Sequence, residues 1–328
     1  MKHRPFGILG TGAGIPTKVL SNQDLATLVD TSDEWITQRT GIKERRILPE
    51  GMTTSDLCIE AGRKAIEDAG LQPSDIQLVI VATVTPDRQV AATACKVSEA
   101  LGCGNAPAFD MAAGCSGFVY GSAVASRFLW TESHDNVLVI GAEALSRIVN
   151  YEDRTSCILF GDAAGAAVYG TGHTGAELLS TSMAADGSGY DVMHTLAGGA
   201  EQPVTPELLA AKQNKLVIKG REVYKFAVGR MVELVRKEMA ANPDLELGGI
   251  IPHQVNMRII ESAREKLDLP EERIFVNIDR YGNTSAASIP VALDEARRSG
   301  FFEGMEGKLV VMCAFGAGLT WGSLGFRW

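Results

Sequence analysis

Pro107-Ala108-Phe109-Asp110-Met111-Ala112-Ala113-Gly114-Cys115-Ser116-Gly117-Phe118 sets a short apolar strand, a turn of small residues and the start of a helix in direct succession. From Gly117 to Trp130 the side chains are apolar or small nearly all round, the pattern of a helix buried on every side. Cys115 therefore stands on a strand-to-helix turn whose small neighbours let another molecule reach the backbone. A helix N-terminus carries unpaired N–H groups and about half a positive charge, which predicts a thiolate at Cys115 rather than a thiol. The plain alternative is a buried, inert cysteine, the common fate of the residue type.

Outward from this unit the chain repeats itself. Asp75-Ile76-Gln77-Leu78-Val79-Ile80 has a counterpart in Asp244-Leu245-Glu246-Leu247-Gly248-Gly249-Ile250-Ile251. Phe109 precedes Cys115 by six residues, and Asn277 precedes Asn283 by six, each after a short apolar run. Val137-Leu138-Val139-Ile140-Gly141 is echoed by Leu309-Val310-Val311-Met312-Cys313. Strand, helix, strand, glycine turn, buried helix and strand recur once, which predicts an α/β fold of two duplicated βαβαβ halves, 1–171 and 172–328, with right-handed crossovers. Two such halves packed together put equivalent turns face to face, with Cys115 and Asn283 opening into one cleft.

The remaining elements follow from local signals. Phe6 to Leu9 reads as a strand leading into Gly10-Thr11-Gly12-Ala13-Gly14. A dinucleotide loop is excluded there, because its third glycine would fall at Ile15, Pro16 follows and no helix opens. Ser21 or Asn22 caps a helix through Leu28, and another begins at Asp33-Glu34-Trp35. Thr54-Ser55 caps a helix over 56–69 ended by Gly70, and 91–101 is a helix closed by Gly102. Strands are expected over Asp75 to Val84, Val137 to Ile140 and Cys157 to Tyr169, the last broken by Gly161-Asp162-Ala163-Ala164-Gly165. The Gly-, Ala- and Pro-rich stretch 184–213 reads as loops.

Composition narrows the function. At 328 residues, 45% hydrophobic and 22% charged, the chain is an ordinary globular sequence able to bury a large core. Its apolar runs are strand-sized, so no membrane span is expected, and Met1-Lys2-His3-Arg4 leads into no signal-peptide core. Cysteines 58, 95, 103, 115, 157 and 313 form no CxxC pair and no metal spacing, which suits reduced thiols in the cytoplasm. A net charge of -9 argues against nucleic acid as a partner.

His253, in Ile251-Pro252-His253-Gln254-Val255-Asn256, follows a strand of the second half, where ligand sites of open sheets gather. Asn283, in Tyr281-Gly282-Asn283-Thr284-Ser285-Ala286-Ala287-Ser288, sits where the repeat places the nucleophile, although it could simply cap the next helix. Cys, His and Asn in this order also describe papain-like proteases. Their Cys-Gly-Ser-Cys-Trp signature is absent, however, and an internal duplication has no place in that family.

Taken together the motifs resemble the thiolase superfamily, most closely the β-ketoacyl-acyl carrier protein synthase III family. The resemblance rests on Asp30-Thr31-Ser32-Asp33-Glu34-Trp35-Ile36 with Arg39-Thr40-Gly41-Ile42, Gly114-Cys115-Ser116-Gly117, Phe160-Gly161-Asp162, Pro252-His253-Gln254, Tyr281-Gly282-Asn283-Thr284-Ser285 and Phe315-Gly316-Ala317-Gly318-Leu319-Thr320-Trp321-Gly322. It spans nearly the whole chain and implies a layered α/β/α/β/α sandwich. Asn283, where elongating synthases have a second histidine, looks like the initiating class. Thiolases carry a second cysteine in a Cys-x-Gly pattern; Cys313 is followed by Ala314 and Phe315 and reads as a strand residue.

The resemblance implies acyl transfer from acyl-CoA to Cys115, then condensation with malonyl-acyl carrier protein, releasing CoA and carbon dioxide, with no cofactor and no metal. His253 and Asn283 would stabilise the enolate, and the backbone N–H groups of Cys115 and Ala317 the tetrahedral intermediate. Thr31, Trp35, Arg39, Arg154, Gly220 and Asn256 would bind CoA and its pantetheine arm. Val90 from a partner chain would close the acyl pocket of a homodimer, its size admitting groups longer than acetyl. Lys212 to Lys237 carries eight Lys and Arg against two Glu. With Arg258 it would dock an acidic carrier protein, if it is more than a solvated helix face. Other members serve biotin, quinolone or polyketide synthesis, and a catalytically silent carrier-protein-binding subunit is the non-enzymatic alternative.

Overall fold

The computed structural model describes residues 4–172 and 175–328, so the expectation at Met1-Lys2-His3 lies outside the described residues. Nine strands form one sheet: β1 Phe6–Gly14, β2 Leu78–Ala82, β3 Ala108–Met111, β4 Asn136–Glu143, β5 Ala163–Thr171, β6 Glu177–Ala185, β7 Leu247–Pro252, β8 Leu309–Gly316 and β9 Thr320–Arg327. The order across it is β7-β8-β9-β6-β1-β5-β4-β2-β3. The principal helices are α1 Asp33–Thr40, α2 Thr54–Asp68, α3 Thr93–Leu101, α4 Gly117–Trp130, α5 Gly220–Ala241, α6 Met257–Leu267 and α7 Ser288–Arg298.

Mirrored connectivity makes the duplication visible. β3-β2-β4 is parallel and continues antiparallel through β5 to β1; β7-β8 is parallel and continues antiparallel through β9 to β6. The half-sheets meet at β1 and β6 through Gly7 opposite Glu177 and an Ile8 N–H to Ala176 bond of 3.0 Å.

Side-chain alternation sorts the core into layers. Val79, Val81, Leu138 and Ile140 face α2 and α3, while Ile80 and Val139 point the other way onto α4 and α7. In the second half Val311 and Cys313 face α5 and α6, and Val310 and Met312 join the α4–α7 layer. Both central helices touch strands of both halves, which completes the five-layer α/β/α/β/α sandwich. α4 is buried on most sides but not on all: Tyr120, Val124 and Phe128 are half-buried and Arg127 is exposed along one face, short of the all-round burial its sequence suggests.

The glycines of β1 have a packing role. A Cβ on Gly10, Gly12 or Gly14 would lie 2.2–2.4 Å from backbone atoms of α2, so strand and helix meet main chain to main chain. β1 runs straight through this stretch, as the rejection of a dinucleotide loop requires.

Several local expectations need correction. Thr53, not Thr54 or Ser55, caps α2, through a reciprocal bond with Asp56. Ser21 caps a helix that ends at Ala26, short of Leu28. Cys157–Leu159 is a turn rather than a strand, and the strand begins at Ala163, because Asp162 turns inward to accept from Leu48 N–H and from the amide and hydroxyl of Ser146. The stretch 184–213 holds the end of β6, the short strand Met193–Thr195 and a turn of helix at Pro206–Ala210. Aligning the first residues of the central helices, Gly117 and Ser288, pairs Cys115 with Ala286, so Asn283 lies three residues before the strict equivalent of the nucleophile.

Candidate active site

Cys115 lies in a single 3-10 turn, Gly114–Ser116, between β3 and α4. Gly114 has φ +52°, a left-handed conformation that favours glycine, and its missing Cβ would sit 2.9 Å from Ala317 N. A Cβ on Gly316 would fall 2.5 Å from Cys115 N. The nucleophile turn and the β8–β9 turn thus pack backbone to backbone, bringing the Cys115 and Ala317 amides into one place. Thr320 locks the pair, its hydroxyl donating to Ala113 O at 2.8 Å while Ser116 Oγ donates to Thr320 O at 3.1 Å. A cavity of about 170 Å3 opens over Cys115, walled mainly by Val84, Leu145, Ile148, Phe160, Met193 and Leu216. Its lining is apolar enough for an acyl chain.

His253 follows the last residue of β7 and is 1% exposed. Its N–H donates to Cys313 O at 2.8 Å, Nδ1 lies 2.7 Å from Ser288 Oγ, and Nε2 has no partner. Its ring stands edge-on to Phe315, the residue before Gly316. Asn283, 4% exposed, is pinned by backbone bonds to Leu159 and Gly161, and its Oδ1 accepts from Ser285 N at 2.8 Å. With the amide oxygen committed, the NH2 end is the free one. Phe160, bridged to Asn283, and Ser285 both line the cavity over Cys115. Asn283 is thus tied to the cavity wall over Cys115 through Phe160 and Ser285, and His253 borders the Gly316 turn through Phe315.

Electrostatics overturns one expectation. Burial pushes the Cys115 thiol up to about 12, against the pull of the Ser285 hydroxyl that favours the thiolate. About half a charge at the helix start does not offset removal from water, so the resting group is a thiol rather than a thiolate. Burial also pushes His253 down to about 3, leaving it neutral at pH 7. Sequence reasoning missed Glu143, the last residue of β4, whose carboxyl burial raises to about 7. Its signal was present: a carboxylate ending the apolar run Val137-Leu138-Val139-Ile140-Gly141-Ala142.

The residues expected to hold CoA largely cluster. Arg39 and Arg154 lie over the Trp35 ring at 4.5 and 5.1 Å from its centre. Asn256 donates to Arg39 O at 3.1 Å and caps α6 through Arg258 N–H at 2.9 Å. Thr31 has a buried hydroxyl without a partner. Gly220 opens α5 at the exposed surface, after the strand Leu216–Ile218, which packs in the same apolar cluster as Trp35. Arg258 is exposed on the first turn of α6. Val90 is 86% exposed and does not line the cavity of its own chain. Cys313 is a buried residue of β8. Among the described residues no group of three or more His, Cys, Asp or Glu could hold a metal, and no helix is long and apolar enough to cross a membrane.

Known proteins resemble this chain in sequence and in fold. Residues 109–187 match the family described as 3-oxoacyl-[acyl-carrier-protein (ACP)] synthase III, and residues 230–328 match its C-terminal region. The beta-ketoacyl-[acyl-carrier-protein] synthase III of Caldanaerobacter subterraneus subsp. tengcongensis is 49% identical over 98% of this chain and 97% of its own. That of Clostridioides difficile is 48% identical, covering 98% of each chain. The crystal structure of 3-oxoacyl-[acyl-carrier-protein] synthase III from Aquifex aeolicus superposes with a TM-score of 0.90 at 43% identity, covering 98% of this chain and 100% of that one.

Proposed function

Because the chain belongs to the β-ketoacyl-acyl carrier protein synthase III family, we propose that it carries out the initiating condensation of fatty acid synthesis through an acyl intermediate on Cys115. An acyl-CoA gives its acyl group to Cys115 and leaves as CoA. Malonyl-acyl carrier protein then loses carbon dioxide, and the resulting carbanion attacks the acyl-enzyme to give β-ketoacyl-acyl carrier protein. The observation that carries this division is the backbone-to-backbone seating of the Cys115 and Ala317 turns beside two buried polar side chains with free ends.

In this reading the Cys115 and Ala317 amides receive the oxyanion of the tetrahedral intermediate, which the close packing of their turns supports. Ser288 Oγ accepts from Gln254 N–H at 3.4 Å and lies 2.7 Å from His253 Nδ1; with the Ser288 proton given to Nδ1, the imidazole proton would sit on Nε2. Neutral His253 and the Asn283 NH2 group then offer two N–H donors to the enolate oxygen. Neither needs to change charge during decarboxylation.

Trp35 with Arg39 and Arg154 forms a cationic aromatic platform suited to the adenine and phosphates of CoA. Arg258 and the basic face of α5 offer an acidic carrier protein its landing. The open edge of β3 and the exposed Val90 support a homodimer in which each chain closes the partner's acyl pocket; the reading also divides each chain at 171/172, where β5 ends, and takes the setting to be cytoplasmic. Intact-protein mass spectrometry after incubation with a panel of acyl-CoAs tests the central claim. An adduct of acyl mass is expected on the wild type and none on Cys115→Ala; an adduct on the alanine variant would overturn it.

A further inference from the structure

Glu143 is fully buried at the end of β4, and the reaction as divided above leaves it idle. Its Oε2 accepts from the Thr85 hydroxyl at 2.6 Å and from Thr83 at 3.4 Å, and both oxygens lie 3.3 Å from Val84 N–H. Its Oε1 accepts from the Ser285 hydroxyl at 3.1 Å. Cys115 and Ser285 share the wall of one cavity, and the Ser285 hydroxyl pulls the Cys115 thiol down against the effect of burial. Cysteine, serine and carboxylate thus form a line from the cavity into the core. Thr85 holds the far end in place, donating to Glu143 while accepting from Ala144 N–H at 2.8 Å.

We propose that Ser285 and Glu143 are a proton relay for Cys115, taking the thiol proton as acyl transfer begins; this rests on Cys115 being the nucleophile. The Cys115 S–H bond breaks as its proton passes to Ser285 Oγ, while the Ser285 hydroxyl proton passes to Glu143 Oε1. The freed sulfur pair bonds to the thioester carbonyl carbon, and the bond from that carbon to the CoA sulfur breaks as the tetrahedral intermediate collapses. Running backward, the relay returns the proton to the departing sulfur, so that CoA leaves as a thiol. Glu143 acts through Ser285 and positions the proton without touching substrate.

The alternative acceptor, His253, is far weaker. With Cys115 at about 12, transfer to Glu143 at about 7 is uphill by roughly 10^5, and transfer to His253 at about 3 by roughly 10^9. The titratable groups bearing on Glu143 are thiols, Cys115 from the turn and Cys58 from α2. Burial pushes both up, and the Glu143 charge adds to it; Asp87 and Asp110 act on Cys58 as well. Both thiols stay protonated through neutral pH, so an inflection there belongs to Glu143.

The test is single-turnover acylation by acetyl-CoA and butyryl-CoA, followed by mass from pH 5.5 to 9, in the wild type, Glu143→Gln, Glu143→Asp, Ser285→Ala and Ser285→Thr. Decarboxylation of malonyl-acyl carrier protein is the second readout, since it draws on His253 and Asn283. Wild-type acylation is expected to rise through an inflection near 7. Glu143→Gln and Ser285→Ala should lose the inflection and acylate roughly 100-fold more slowly at pH 7.5, with decarboxylation nearly unchanged. Aspartate and threonine should recover part of the rate. An inflection near 7 that survives in Glu143→Gln overturns the relay, as does an equal fall of both half-reactions, which marks a structural network. An unacylated Cys115 in the wild type overturns the nucleophile itself.

Discussion

Replacing His253 by glutamine should change how stability depends on pH. Burial holds the folded imidazole neutral down to about 3, whereas the ordinary value is 6.5. Between those values the unfolded chain binds a proton that the folded chain refuses, so this group's contribution is lost as pH falls. The slope is about 1.4 kcal/mol per pH unit, which amounts to about 2 kcal/mol between pH 6.5 and 5. Glu143 opposes it. Its folded value is about 7 against an ordinary 4.5, so its contribution is present at low pH and lost as pH rises through 7. From pH 4.5 to 6.5 the two slopes nearly cancel in the wild type. Glutamine removes only the histidine slope. Denaturant unfolding of both proteins at pH 7 and pH 5, at one fixed protein concentration, reads the difference. The gap between variant and wild type should move by about 2 kcal/mol in the variant's favour on going to pH 5. Carboxylates common to both proteins drop out of that comparison. A gap that does not move would mean that folded His253 takes up a proton freely, and the reasoning fails.

Cys115→Ala should abolish acylation and condensation yet retain decarboxylation of malonyl-acyl carrier protein. His253→Ala and Asn283→Ala should still form the acyl-enzyme while decarboxylation falls roughly 100- to 1,000-fold; an unmodified Cys115 in folded His253→Ala would return His253 to the role of base. Val90→Phe should lower activity with four-carbon and longer primers more than with acetyl-CoA, since overpacking a pocket costs about 1–3 kcal/mol. An equal loss across primers would remove Val90 from the pocket. Arg258→Glu should raise KM for malonyl-acyl carrier protein, reduce its salt sensitivity and spare acyl-CoA loading. A matching loss of loading would move Arg258 to the CoA site.

The fold was legible wherever burial acts on both faces of an element. Val137 to Ile140 and Leu309 to Met312 are apolar without a break because helices cover both sides of their strands, and their recurrence exposes the duplication. β6 was not legible, since Ser180 and Ser182 lie on it and bond to Glu238 and Lys237 of α5, giving a strand without an apolar run. The candidate site was legible as residue types on turns, and Cys115, His253 and Asn283 do stand at turns or strand ends in the fold. Its proton state was not, because the pKa of Cys115 depends on how deeply the second half covers it. Ser285 and Glu143 are unremarkable 142 residues apart in sequence, and only the meeting of the end of β4 with the turn before α7 makes them partners.

Gly10, Gly12 and Gly14 leave the duplicated halves with unequal freedom to vary. On the β1 side no side chain at all fits between strand and α2, so drift there is arrested at the smallest residue. On the β6 side the helix–sheet seam is made of side chains: Glu238 accepts from Ser323 at 2.6 Å and from Ser180, and Lys237 reaches Ser182 at 2.8 Å. Such a seam can be respelled by paired substitutions, a polar contact exchanged for an apolar one of like volume. The two halves, alike in connectivity, thus differ in what their helix–sheet seams tolerate, the nucleophile's half being a rigid template and the other the half that can be retuned.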